Sequence, residues 1–359
     1  MSIKDVAREA GVSTATVSHV INNSRFVSEE TRGRVLRAVE RCNYYPNAHA
    51  RSLASGRSQM LGLLISDITN PFFPELVKAI EAAAFERGYD VVLSNTNYDQ
   101  ERVAHYVRRI IERQVAGVAL MTSEFDDRLV EELARGRVSV VLLDRDAPAV
   151  GMSNLCVDYA AGIEEAVRHL VSLGHRRISF VSGPPHLSSI RKRLDAFRAS
   201  RARYLPGGAG GEVYVGDLKL EGGRRAAREM LAGGARPTAV VAANDLMALG
   251  AMREFLSAGL SIPRDVSVVG FDDISFAALA EPPLTTVCLP RGELGRRAVE
   301  ALTATIEHPE RQGVEVHVRT YLVERGSTAR APEETSSRDE PARRRAGATH
   351  GRRQAGARK

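Results

Sequence analysis

The chain has 359 residues, a formal net charge of +6, 43% hydrophobic and 26% charged residues, and no Trp. That length allows two or three domains with a sizeable core. The composition excludes a disordered or collagen-like chain, and apolar runs such as "MLGLLI" and "SVVLLD" are too short to cross a bilayer. The N-terminal "MSIKDVAREAG" has no apolar stretch of the secretory kind, so a cytoplasmic, membrane-free protein is expected. Cys42, Cys156 and Cys288 are widely spaced, odd in number and without a CxxC, which fits reduced structural thiols and no metal site. Charge is unevenly placed. Residues 1–58 hold nine Lys and Arg against five Asp and Glu, net +4, and residues 328–359 hold nine against four, net +5. The intervening residues carry net −3, so the basic ends suit a polyanion and the body does not.

Residues 1–45 are predicted to form three short helices. Ile3, Val6, Ala7 and Ala10 share one helical face, and Gly11 supplies a C-terminal stop. Ser13 is placed to cap a second helix whose buried stripe is Val17, Val20 and Ile21. Opposite that stripe lie Ala15, His19 and Asn22, with Ser18 beside them. Such a short polar face stabilises a bare helix poorly, yet it can enter a major groove and offer hydrogen bonds to base edges. A third helix is expected from about Ser28, with Glu29 and Glu30 in its first turn and Val35, Leu36 and Val39 as its stripe. "YYPNAHARSLASGRSQ" then predicts one or two helical turns inside a linker, marginal in isolation.

From residue 60 to about 325, β-branched and Leu runs ("LGLLIS", "YDVVLSN", "GVALMTS", "SVVLLD", "RISFVSG", "TAVVAAND", "VSVVGFDD") alternate with helical stretches. This alternation predicts parallel sheets covered by helices on both faces, divided between two α/β subdomains. The last 32 residues, nearly devoid of large apolar side chains, read as a disordered basic tail.

Several strand ends carry chemistry, and ligands of open α/β sheets collect at the carboxyl ends of strands. "SDITNPFF" supplies Asn70, Phe72 and Phe73, and "LLDRD" supplies Asp144 and Arg145. "SIRKR" gives Arg191, "AAND" gives Asn244, with Asp245 read as a helix cap, and "VGFDD" gives Asp272. No GxSxG, P-loop, HExxH or strand-linked GxGxxG is present, and the nine His are scattered, so an enzyme is not expected and no catalytic residue is assigned.

The stretch "IKDVAREAGVSTATVSHVINNSRFVSEETRGRVLRAVERCNYYPNAHARSLASG" resembles the DNA-binding head and hinge of LacI-family transcription regulators, most of all the ribose- and purine-responsive ones. The pattern continues to about residue 327, where the body resembles type I periplasmic binding proteins. The resemblance implies a helix-turn-helix head (1–45), a hinge helix (46–59), a two-subdomain ligand-binding and dimerisation body (60–327) and the tail (328–359). It places Thr14, Ala15 and His19 at base-reading positions and Ser13, Thr16 and Asn22 at phosphate or supporting ones. Leu53 falls where the family wedges a leucine into the minor groove, flanked by Ala50 and Arg51. In the body it implies that Asn70, Phe72, Phe73, Asp144, Arg145, Arg191, Asn244 and Asp272 surround a small sugar. Leu289 stands where sugar-binding relatives usually carry Gln. The implied activity is repression of a double-stranded operator by a homodimer, with a tetramer left open. Its effector is a pentose, hexose or related polyol bound between the subdomains, and there is no cofactor.

Overall fold

In a computed structural model the protein is described at residues 1–45, 58–122, 125–144, 148–207, 210–233 and 236–333. The expected hinge residues Ala50, Arg51 and Leu53, together with Arg145 and the chain beyond 333, lie outside these.

The head consists of α1 (Ile3–Ala10), α2 (Thr14–Asn22) and α3 (Glu29–Arg41). Ser13 caps α2 by accepting a hydrogen bond from Thr16 N at 3.1 Å, and Ser28 caps α3 through Thr31 N. Gly11 ends α1 at φ 63°, with its N–H on the carbonyls of Ala7 and Arg8. A side chain there is strained whatever the space around it. Gly11→Ala is expected to cost the head about 1 kcal/mol, visible in the full chain as a lower midpoint of the head's unfolding with the body's transition unmoved. Val6, Val17, Val20, Val35, Ala38 and Cys42 form the buried centre of the head. The third helix departs from expectation, because Leu36 is 47% exposed and Ala38 takes its place inside. From Val35, steps of three and seven reach Ala38 and Cys42, whereas Leu36 lies about 100° around the helix.

The body is two six-stranded sheets, ordered β11-β5-β4-β3-β1-β2 and β12-β10-β9-β8-β6-β7. The first contains β1 (Met60–Ile65), β2 (Asp90–Asn95), β3 (Gly117–Met121), β4 (Ser139–Leu143), β5 (Met152–Asp158) and β11 (Glu315–Arg319). All of its pairings are parallel. The second contains β6 (Ile178–Ser182), β7 (Val213–Val215), β8 (Ala239–Ala242), β9 (Ser267–Asp272), β10 (Thr285–Cys288) and β12 (Tyr321–Val323). Only the β10–β12 pair is antiparallel. Helices α4 (Phe72–Phe85), α5 (Gln100–Glu112), α6 (Asp127–Arg135) and α12 (Arg291–Glu307) belong with the first sheet. Helices α7 (Tyr159–Ser172), α8 (Ser188–Tyr204), α9 (Leu220–Ala232), α10 (Asp245–Ser257) and the short α11 (Ser275–Leu279) belong with the second. Full burial on both faces explains why strands such as β3 and β8 read as unbroken apolar runs.

The chain passes between the sheets three times: through β5 into α7, through β10 into α12, and from β11 to β12 across Thr320. Thr320 Oγ1 donates to Asp158 O at 2.6 Å and accepts from Gly162 N at 3.0 Å, tying two of these passages together. At one point α9 and α10 approach to backbone contact. A Cβ at Gly250 would lie 2.0 Å from Leu220 O, and one at Gly223 would lie 2.0 Å from Met247 O.

The body also extends past the expected start of the tail. Thr328 Oγ1 bonds His169, Ala329 O accepts from His175 Nε2, and Ala331 N donates to Leu173 O. Residues 328–331 are therefore a strap on the second subdomain, held by backbone bonds that an apolar pattern does not reveal.

Candidate functional site: a polar-faced helix and a cleft between two sheets

On α2, Val17 and Val20 are buried, and Thr14, Ala15 and Asn22 are exposed on the far side with His19 half-buried among them. Ser13 Oγ is spent on the cap and on Thr16 Oγ1 (3.0 Å), and so holds the amino end of the helix rather than projecting from it. His19 Nδ1 bonds Ser24 Oγ at 2.9 Å and Asn22 Nδ2 donates to Ser18 Oγ at 3.2 Å, which orients the imidazole and the amide. A face of hydroxyls, an imidazole and an amide, presented by a helix whose start follows a tight turn, offers donors and acceptors of the kind that base edges accept.

In the body the strand ends converge on one cleft cavity between the two subdomains. Asn70, Phe72, Phe73 and Asp144 line it from the first subdomain, Tyr159 from the crossover at the start of α7, and Arg193, Asn244, Asp272 and Leu289 from the second sheet and its crossover. The Phe72 and Phe73 rings meet edge to face at 5.3 Å. Asn70 Oδ1 accepts from Phe72 N at 3.1 Å, fixing the turn that presents the rings.

The two subdomains divide the polar work unequally. Asp144, at φ 60°, already has partners within the protein: its carboxylate accepts from Val157 N (2.9 Å) and from Tyr159 Oη (2.5 Å). Lys192, from the other side of the cleft, adds an ion pair at 3.7 Å and donates to Asp144 O at 3.3 Å. Asp144 thus shapes the wall, in place of the free acceptor the sequence suggested. Burial, then the Asp144 charge, raise the Tyr159 phenol far above its usual range, so it stays a donor. A second link crosses the cleft at Glu75, which accepts from Ser275 N of the second subdomain at 3.3 Å and pairs at 2.8 Å with Arg291 at the head of α12, whose Nη1 donates in turn to Asp272 O.

Arg193, absent from the sequence-based set, is the main cation of the cleft. It is 8% exposed and pairs with Asp272 at 3.6 Å. Its Nη1 donates to Ala243 O, and its guanidinium lies 4.0 Å from the Phe271 centroid and 4.8 Å from that of Tyr159. Its buried Nε has no partner. Arg191, the expected residue, points outward and bonds the carbonyls of Pro185 and His186. The phase of α8 decides this: Ile190, Arg193, Phe197 and Ser200 are its buried residues, and Arg191 is about 200° from Arg193. The amphipathic spacing of "SIRKR" therefore turns Arg193, and not Arg191, toward the cavity. Tyr159, Ser66 and Thr122 were also missed; Ser66 Oγ donates to Thr122 Oγ1 at 3.0 Å on the cavity wall. A second correction concerns the start of α10. Asn244, not Asp245, is the cap, accepting from Met247 N at 3.0 Å while its amide donates to Leu218 O at 2.9 Å. Asp245 is fully buried against Thr286 Oγ1 (2.5 Å) and Ile274 N (2.8 Å).

Burial pushes the Asp272 carboxyl up to about 6, against the pull of Arg193 and Arg291. Burial, and then the Asp272 charge, carry Asp245 well above the usual carboxylate range. Of the two, Asp272 is the carboxylate that Arg193 and Arg291 face, and their charge opposes burial in keeping it the anion at neutral pH. A raised carboxylate favours the folded state below its unfolded value and loses that contribution as pH rises through about 6. Keeping Asp272 ionised at neutral pH costs the fold roughly 3 kcal/mol, a cost that a cleft ligand donating hydroxyls to it would offset.

Residues 2–47 match the family model "Bacterial regulatory proteins, lacI family", and residues 167–328 match "Periplasmic binding protein-like domain". The chain is 40% identical over 328 residues to the ribose operon repressor of Escherichia coli K12, covering 91% of this chain and 99% of that one. It is 38% identical to the repressor PurR of Photobacterium profundum, covering 85% and 92%. Among solved structures it is similar to a lac repressor dimer bound to operator and the anti-inducer ONPF, with TM-score 0.80, 31% identity and 92% and 99% coverage. A LacI family regulator from Enterococcus faecium with bound ribose superposes with TM-score 0.69 at 28% identity, covering 76% and 99%. The three-helix head, the two parallel-sheet subdomains and the end-to-end relatives agree, and the chain belongs to the LacI family of DNA-binding transcriptional regulators, which are not enzymes.

Proposed function

We propose that the protein is a cytoplasmic repressor whose homodimer holds a pseudo-palindromic operator, and that a small sugar bound in the cleft releases it. The observation that carries the sensor half is the Arg193–Asp272 pair facing two aromatic rings across one cavity. A cation with an unpartnered Nε and a buried carboxylate can receive and donate to adjacent hydroxyls, while Phe72 and Phe73 cover an apolar sugar face. Asn244 and Asn70 border the same space, and Leu289, with no hydrogen-bonding group, favours a less hydroxylated or differently posed ligand at that wall. The ribose named for two of the relatives supports a pentose, hexose or related polyol.

The head reads DNA through Thr14, Ala15 and His19, with Ser13, Thr16 and Asn22 supporting and Ala50, Arg51 and Leu53 of the hinge in the minor groove. Domain limits follow as head to 45, hinge to 59, and a body that runs through the strap at 328–331. No helix among the described residues is long and apolar enough to cross a membrane. Leu220, Leu256, Phe276 and Leu279 are exposed on α9, α10 and α11, an apolar set suited to a partner subunit, and the lac repressor relative is a dimer. Sugar bound between the subdomains changes their closure, and the Lys192–Asp144 and Ser275–Glu75 links across the cleft are the contacts that closure makes or breaks.

Calorimetry of the full chain against a panel of pentoses, hexoses and polyols tests the reading, with heat expected from one sugar class. Heat from a nucleobase and none from any sugar would overturn it. The affinity for that sugar should fall about tenfold per pH unit below about 6, as Asp272 gains its proton, and Asp272→Asn should bind more weakly with no such slope.

A further inference from the structure

Outside the cleft, the edge of the first sheet gathers a second set of chemistry-bearing side chains. β11 pairs in parallel with β5, placing His317 beside Cys156 and Glu315 beside Asn154. Side chains alternate along strands, so these four share one face, while Leu155, Val157, Val316 and Val318 pack into the core on the other. β11 is the outermost strand, and the face is open there: Cys156 is half-buried, Glu315 and His317 are exposed. One donor atom from each of Cys156, Glu315 and His317 lies within 4.8 Å of the other two. His317 Nε2 already meets Glu315 Oε1 at 2.9 Å, and Asn154 Nδ2 donates to Cys156 Sγ at 3.0 Å, holding the sulfur toward the pair.

We propose that this triad binds a divalent cation of the zinc class, with the Cys156 thiolate, a His317 imidazole nitrogen and the Glu315 carboxylate as ligands and water completing a tetrahedron. Thiolate, imidazole and carboxylate are the donors zinc takes, at bonds of roughly 2.0–2.3 Å, which put neighbouring ligand atoms roughly 3.3–3.8 Å apart. Two of the three side chains are exposed and free to turn inward, and the strand register fixes their spacing, so about an ångström of contraction completes the site. The sulfur ligand selects against calcium and magnesium, which prefer oxygen alone. None of the three residues lines the effector cavity, so the site is separate from the sugar cleft.

The test is a titration of the full-length, reduced protein with Co2+, zinc's spectroscopic stand-in. One equivalent is expected to raise a thiolate-to-cobalt charge-transfer band with the visible absorption of a tetrahedral site, bleached by stoichiometric Zn2+. Cys156→Ser should lose the charge-transfer band, while Cys42→Ser and Cys288→Ser keep it. His317→Gln and Glu315→Gln, at exposed positions where folding is not at stake, should each weaken binding at least about tenfold. Absence of the band at stoichiometric Co2+, its survival in Cys156→Ser, or unchanged affinity in both exposed variants would overturn the proposal.

Discussion

Replacing Arg193 with Met is expected to abolish effector control while leaving operator binding intact. The guanidinium pairs with Asp272, donates to Ala243 O and lies against Tyr159 and Phe271, so its loss removes the one buried cation of the cleft wall among the described residues. Each charge-assisted bond to a sugar hydroxyl is worth about 1.5–3 kcal/mol, and two of them correspond to a loss of affinity of at least about 100-fold. The variant should also be less stable, because Asp272 is left buried without its partner, a situation that typically costs 3–5 kcal/mol. Adding Asp272→Asn separates the two effects. The double variant should regain most of the thermal stability and none of the sugar affinity. Recovery of both, seen by calorimetry beside a thermal melt, would mean that Arg193 serves the fold and not the ligand. Arg191→Met, two residues earlier on the exposed face, should change neither by more than a few tenths of a kcal/mol.

The second large effect is expected from removing residues 1–58. Specific operator affinity should drop by the whole specific-to-non-specific ratio, about 10^3-fold or more, while sugar affinity stays within twofold. The head's small centre of Val6, Val17, Val20 and Val35 is separate from the core clusters of the body, so its loss leaves those unaltered. Electrophoretic mobility shift and calorimetry on the same preparation check both halves. Sugar binding lost together with DNA binding would contradict the separation of roles.

How far the sequence carries this account depends on what each residue's burial costs. The helix caps Ser13, Ser28 and Gly11 and the strands β1, β2, β3, β4, β6, β8 and β9 were legible, because cap chemistry and β-branched or Leu-rich runs mark them locally. The strands β5, β7, β10, β11 and β12 were not. β7 and β12 have three residues each, and β5 buries Ser153 and Asn154, which no apolar pattern flags. Ser153 Oγ is satisfied by Thr305 Oγ1 at 3.0 Å, a partner 152 residues away. The site divides the same way. Asn70, Phe72, Phe73, Asn244 and Asp272 are legible at their strand ends, which the topology gathers at one cavity, and Leu289 only through the family resemblance. Arg193 depends on the rotation of α8, Tyr159 on the β5 crossover, and the engagement of Asp144 on a neighbouring strand. These are tertiary facts, visible only once the two subdomains face each other.

The central claim is that one polar-faced helix reads DNA under the control of one sugar cleft. Its most direct test is the fluorescence anisotropy of a labelled pseudo-palindromic operator, selected from random DNA and titrated with the protein with and without each sugar of a panel. A coupling of ~1–3 kcal/mol per site predicts that one sugar weakens binding by about 5- to 150-fold and that the others do nothing. Operator affinity unmoved by every sugar that the cleft binds, or no sequence preference at all, would contradict it.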